Sequence, residues 1–162
     1  MSISSRWFGF GTDPDYDDAA RLFDKGEYAS AAALFAKVAD RNHDRALRLA
    51  ARQHLGDCFL RLARAELSNA NSSEAVKWLD QAIELTPNYP DLHYRRGVAL
   101  ALDDQLEQAS ESFTKALDLN PNYAEAAIQL CAVQTVAQNQ SPDLCVLPTS
   151  PLGEASKPLL DR

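Results

Sequence analysis

The sequence predicts an all-α solenoid, a stack of helix pairs. The first observation is a repeat at one fixed offset. Ala75 recurs as Ala109, Leu79 as Phe113, Ala82 as Ala116, and Pro87-Asn88-Tyr89 as Pro121-Asn122-Tyr123, every pair at the same separation. A constant period in the range of about 20–50 residues is the mark of stacked repeat units. The second is composition: only 6 Gly and few β-branched runs argue against a sheet. The third is the helical spacing of the apolar residues along most of the chain.

Asp13-Pro14 opens the first helix, with Asp as N-cap and Pro where an N–H would be orphaned. Asp15, Asp17 and Asp18 suit the positive end of the helix dipole, and Ala19, Leu22 and Phe23 share one face. Lys25-Gly26-Glu27-Tyr28 is a tight turn. The second helix turns Ala31, Ala32, Phe35 and Val38 inward. A long third helix occupies Arg41 to Leu67. There Gly56 stands about two helical turns further ahead of Ala75 than Gly97 stands ahead of Ala109, which predicts an insertion near 63–69. Ser68–Ser73 is a turn and N-cap cluster, and a fourth helix ends near Leu85. Pro90 starts the fifth, which ends near Asp103-Asp104. The sixth ends near Leu119. Pro121 or Asn122 starts the seventh, amphipathic through Ile128, Leu130 and Val133.

The domain reading is a flexible aromatic segment over 1–12, a repeat domain over 13–138, and a disordered Pro-rich tail over 139–162. Units are expected at about 13–45, 46–89 and 90–123, with a solvating helix over 124–138. Trp7-Phe8-Gly9-Phe10 reads as a cap over the solenoid end, with a docking peptide or membrane-interface anchor as the alternative.

With 162 residues there is room for one domain with a core. Net charge is −7 and uneven: residues 1–68 hold 10 basic and 10 acidic groups, and 69–162 hold the remaining 6 and 13. That balance excludes a nonspecific nucleic-acid binder. No apolar run reaches the roughly 18 residues of a membrane span, and the N-terminus lacks the apolar core of a secretory signal. Three cysteines, an odd number, fit reduced thiols and a cytoplasmic location.

The clean unit resembles a tetratricopeptide repeat through Gly97, Ala109, Phe113, Ala116 and Pro121. The preceding unit matches through Leu55-Gly56, Phe59, Ala75, Leu79, Ala82 and Pro87, and the first through Ala19, Leu22, Gly26, Tyr28, Ala31 and Phe35. Gly or Ala is needed where helices approach closely, and a large ring fills the space between units. The family's Trp is absent: Asp15, Arg52, His93 and Ala127 stand there. The resemblance implies a right-handed superhelix whose concave face, lined by the first helix of each unit, binds peptides.

Groove positions projected from the clean unit are Asp91, Tyr94, Val98, Ala101 and Leu102. The first unit supplies Tyr16, Ala20 and Phe23, the second Gln53, Asp57, Leu60 and Arg61, and the last helix Glu125, Ile128 and Ala132. This floor suits a segment with apolar anchors and a basic residue. Some family members clamp a C-terminal carboxylate with paired Lys and Asn. Tyr16, Ala20, Gln53 and Asp57 stand in those places, so that clamp is not expected.

Three smaller signals have bland readings. His54 and Cys58, four apart, could share a metal, but no second pair completes a site and Cys58 reads as a core residue. Cys131 stands where the clean unit has Gly97, and Cys145 lies in the tail. Arg41, Arg45, Arg48 and Arg52 form a basic stripe, read as a solvated face or as a docking surface for an acidic partner. Asp57 and Arg61 are spaced for a helix-surface ion pair. No nucleophile elbow, phosphate loop or zincin pattern occurs, so neither catalysis nor a cofactor is expected.

The expected function is a non-enzymatic scaffold or adaptor holding a protein partner's peptide segment in the groove. The alternatives are a small chaperone of secreted substrates, similar to those of type III secretion, and a self-assembling or membrane-peripheral subunit.

Overall fold

The computed structural model describes residues 13–41 and 44–137, and all statements of structure refer to these. Seven helices follow one another: α1 Pro14–Asp24, α2 Tyr28–Arg41, α3 Arg45–Ser68, α4 Ser72–Leu85, α5 Pro90–Leu102, α6 Leu106–Leu119 and α7 Ala124–Ala137. Each helix packs mainly on the next, and α5 also touches α7. That is the contact pattern of an all-α solenoid, in which each element meets only its neighbours. No described helix is long and apolar enough to cross a membrane.

Small residues set the helix spacing. Ala19, Ala31, Ala75, Ala82, Ala109 and Ala116 are completely buried, as are Leu79 and Phe113, with Phe35 1% exposed. Large side chains on the second helix of each pair thus lock between small ones. The tightest approach is at Gly97, where an added Cβ would lie 2.6 Å from the Phe113 ring.

Two sequence expectations are corrected here. Gly56 meets nothing within 4 Å of an added Cβ, so close packing does not explain it. The residue one period before Gly97 is Ala63, 1% exposed and packed in the second core cluster. Ala63 precedes Ala75 by the same interval that separates Gly97 from Ala109, so nothing is inserted near 63–69. The extra length lies at the other end of α3. This helix has 24 residues against 13 in α5, and aligning Ala63 with Gly97 leaves residues 45–55 ahead of the repeat. Leu47, Ala51, Leu55 and Cys58 pack into the first cluster, against α1 and α2, while Ala63 packs against α4. The helix changes its buried face along its length.

The turns inside the pairs are alike. Gly26, Ala70 and Asp104 each take positive φ, at 83°, 60° and 59°. The next amide in each turn bonds back into its helix: Glu27 to Leu22, Asn71 to Glu66 and Gln105 to Leu100, all at 2.9 Å. Left-handed C′ residues satisfy orphan carbonyls in this way. The seventh helix begins at Ala124, later than Pro121 or Asn122. The Asn120 side chain accepts from Asn122 N–H at 3.2 Å and holds the link as a turn.

Cys58 is a free thiol, fully buried. Burial, then the nearby Asp57 charge, push it up to about 12.

Candidate partner groove

On α1, Tyr16 and Phe23 are half-buried rather than open. Tyr16 meets Phe35 edge-on at 5.5 Å, Phe23 meets Tyr28 at 5.2 Å, and both rings contact His54 of α3. His54 also stacks on Phe35 at 5.2 Å. It is therefore an aromatic wedge of the α1–α2–α3 joint. Among the described residues no group of three or more His, Cys, Asp or Glu is placed to hold a metal. Burial of Tyr16, reinforced by Asp17, raises its phenol above the ordinary value. Ala20 is half-buried on the same helix.

On α3, Gln53, Asp57 and Arg61 line the exposed to half-buried side, and Leu60 is half-buried. The expected Asp57–Arg61 ion pair is not formed. Counting from Ala63 also brings Arg64 to the position that Val98 holds one period on, a groove candidate that the Gly56 register concealed.

On α5 the same residue types close up. Asp91 accepts from Arg95 Nε at 2.7 Å and from the Tyr123 hydroxyl at 2.9 Å. Tyr94 packs against Tyr123 at 5.1 Å and Phe113 at 5.9 Å. Burial first, and then the bond to Asp91, raise the Tyr123 phenol. Asp91 is thus committed inside the chain and does not offer a bare carboxylate to a partner's basic residue. Beyond it the face is apolar. Ala101 is half-buried and Val98 lies on the same helix, while Leu102 and Ile128 of α7 stand 65% and 57% exposed. Glu125 and Ala132 of α7 are exposed as well.

A second recess, about 290 Å³, opens between α4, α5 and α6 and is lined by Asp80, His93, Arg96, Ser112 and Lys115. Arg96 is two residues from both Tyr94 and Val98, so it points to the other side of α5. It is anchored on Asp80 at 2.6 Å and on Ser112 at 2.8 Å, which makes this recess a braced joint.

The helix pairs, the buried small residues and the open face of their first helices together define a helical-repeat protein. Residues 71–104 match the TPR repeat family and residues 90–123 match the tetratricopeptide repeat family. Residues 71–123 are thus tetratricopeptide repeats. The two matches overlap because one begins at α4 and the other at α5, cutting one period at two phases. The TPR repeat-containing thioredoxin TTL4 of Arabidopsis thaliana is 34% identical over 79 residues, 47% of this chain and 12% of its own length. This chain therefore spans a small part of that relative. Among solved structures, the C-terminal repeat domain of an FK506-binding protein of Plasmodium falciparum has a TM-score of 0.56. It is 21% identical, over 77% of this chain and 87% of that one. YrrB, described as a TPR protein with an unusual peptide-binding site, has a TM-score of 0.53. It is 18% identical, over 83% and 81% of the two chains.

Proposed function

We propose that the protein is a non-enzymatic scaffold that holds a peptide segment of a protein partner along the first-helix face. The observation that carries the reading is the exposure of two large apolar residues at groove positions of successive first helices: Leu102 of α5, on the same helix face as Tyr94 and Val98, and Ile128 of α7 are both more than half exposed. Large apolar side chains grouped on a surface mark interaction sites. In the proposal Tyr94 forms the floor, held by Tyr123 and Phe113, and Leu102 and Ile128 are the walls that take an apolar anchor of the partner. Gln53, Asp57, Leu60 and Arg61 extend the track toward Tyr16, Ala20 and Phe23.

The test is affinity capture from lysate of the source cells, comparing wild type with the double variant Leu102→Glu/Ile128→Glu. Both positions are exposed, so the variant keeps its helix signal in circular dichroism. Proteins held by wild type and released by the variant support the groove. Identical capture by both sinks it.

A further inference from the structure

We propose that the N-terminal half of α3 is a second docking surface, separate from the groove, and that its occupant is an acidic segment of a protein partner carrying an apolar residue.

The first reason is a difference among the described arginines. Those outside α3 each meet a carboxylate: Arg21 with Asp18, Arg41 with Asp13 and Asp15, Arg95 with Asp91, and Arg96 with Asp80. The five on α3, at 45, 48, 52, 61 and 64, have none among the described residues. In a chain of net charge −7, acids are plentiful and chance would pair some of these five. Arg41, read from the sequence as part of the stripe, is neutralised by α1 and leaves it.

The second reason is placement against the helix dipole. Helices α1, α4, α5, α6 and α7 carry an acid in the first turn. Helices α2 and α3 have none, and of the two only α3 presents arginines, Arg45 and Arg48, at its positive end. Cations there destabilise a helix. The Asp44 side chain caps this helix, accepting from Ala46 N–H at 2.8 Å, and offsets only part of that repulsion. Two arginines in the first turn still break the local rule, and such departures are where a functional surface is expected.

The third reason is Leu49, 58% exposed. It lies four residues after Arg45 and three before Arg52, so the three side chains share one face. The inward side of this segment, Leu47, Ala51 and Leu55, is fully used in the first core cluster. Residues 45–55 precede the repeat register, so the outer face has no neighbouring repeat helix assigned to cover it. An arginine-rimmed leucine matches an acidic, amphipathic segment by charge and by one apolar anchor. An anionic bilayer is the poorer match, because the chain's net negative charge opposes approach.

The probe is a fluorescein-labelled synthetic peptide of about four helical turns with Glu and Leu at helical spacing, and its Gln-for-Glu counterpart, read by fluorescence anisotropy on the full chain. Wild type binds the Glu peptide, and binding weakens as salt shortens the Debye length below about 10 Å. The variant Arg45→Glu/Arg48→Glu/Arg52→Glu loses about tenfold or more in affinity, as expected for three exposed charge pairs removed and reversed. Misfolding does not imitate this loss, since acids in the first turn suit the dipole and the variant's Tm stays at or above wild type. Leu102→Glu/Ile128→Glu leaves the peptide affinity unchanged, which separates this surface from the groove. Equal binding of the Glu and Gln peptides, or unchanged binding by the triple variant, overturns the proposal. So does flotation of wild type on phosphatidylserine vesicles without peptide binding. Arg-dependent dimerisation in sedimentation without peptide binding also overturns it, since the occupant would then be a second copy.

Discussion

Two joints of this solenoid are built from the same residues and end in different states. At the later one Asp91, Arg95 and Tyr123 form a closed network. At the earlier one Asp57, Arg61 and Tyr89, each one period before its counterpart, make no such bonds, and Tyr89 is 54% exposed. The residue that differs is the platform. Tyr94 gives Tyr123 a ring to lean on at 5.1 Å, while its counterpart is Leu60. A phenol held against a ring has little rotamer freedom left to lose when it bonds, whereas one over a leucine must be ordered by the bond alone. Repetition therefore fixes the backbone frame, and one side chain decides whether a joint is sealed or open.

The largest expected effect separates the two units by their glycines. Gly97→Ala drives a methyl into Phe113, which is fully buried and has no room to yield, and lowers stability by about 1–3 kcal/mol. Gly56→Ala meets open space in mid-helix and raises stability by about 0.5–1 kcal/mol. Urea unfolding of both variants reads opposite signs. A loss at Gly56 matching that at Gly97 would restore the register in which Gly56 is the packing residue.

This pair also shows how far the sequence was legible. Seven helices, the constant repeat period and the buried Ala75, Leu79, Ala82, Ala109, Phe113 and Ala116 were all readable, because small and large residues recur where neighbouring helices meet. The Leu55-Gly56 pair misled, since it imitates a packing motif and only the three-dimensional surroundings of a Cβ distinguish the two. The groove was less legible for a related reason. Spacing places Tyr16, Phe23 and Asp91 on a helix face but says nothing of His54 or Tyr123, which arrive from other helices and links and occupy them.

Next in size is the closed network itself. Tyr123→Phe removes a hydrogen bond to a carboxylate and costs about 1–1.5 kcal/mol, reduced from a fully buried case by partial exposure. Tyr89→Phe changes stability by less than about 0.5 kcal/mol. The two also differ in alkali. The folded chain holds the Tyr123 proton beyond the ordinary phenol value of 10.0, while the unfolded chain releases it there. The unfolded state then binds fewer protons, so stability falls as pH rises past that value. Tyr123→Phe flattens that fall in pH-dependent urea midpoints. An unchanged slope would show that neither burial nor the Asp91 bond holds the Tyr123 proton in the folded chain.

Ala70→Gly sharpens the comparison at the turns. Ala70 and Asp104 occupy equivalent left-handed positions, and Gly26 already has the residue that suits one. Glycine at 70 relieves about 1 kcal/mol of backbone strain, less the entropy it adds to the unfolded chain. The expected net gain is a few tenths of a kcal/mol, up to about 0.5 kcal/mol, seen as a small rise in Tm. A fall would mean that the turn relaxes out of the left-handed region without cost.

A stability effect of similar size comes from the most direct trial of the comparison. Leu60→Tyr supplies the missing ring at the open joint. If the platform is what orders the phenol, Tyr89 closes onto Asp57, and stability rises by about 0.5 kcal/mol, since an aromatic pair and a partly exposed bond are gained. The functional effect is larger. A sealed Asp57 no longer meets a partner, so capture by the groove weakens while the α3 arginine surface, on another face and nearer the start of the helix, binds its acidic peptide as before. Adding Tyr89→Phe to Leu60→Tyr restores capture, because the ring remains but the bond to Asp57 cannot form. If the single and double variants capture equally, the hydroxyl–carboxylate bond is irrelevant to partner access, and the open joint owes its state to backbone spacing and not to the leucine.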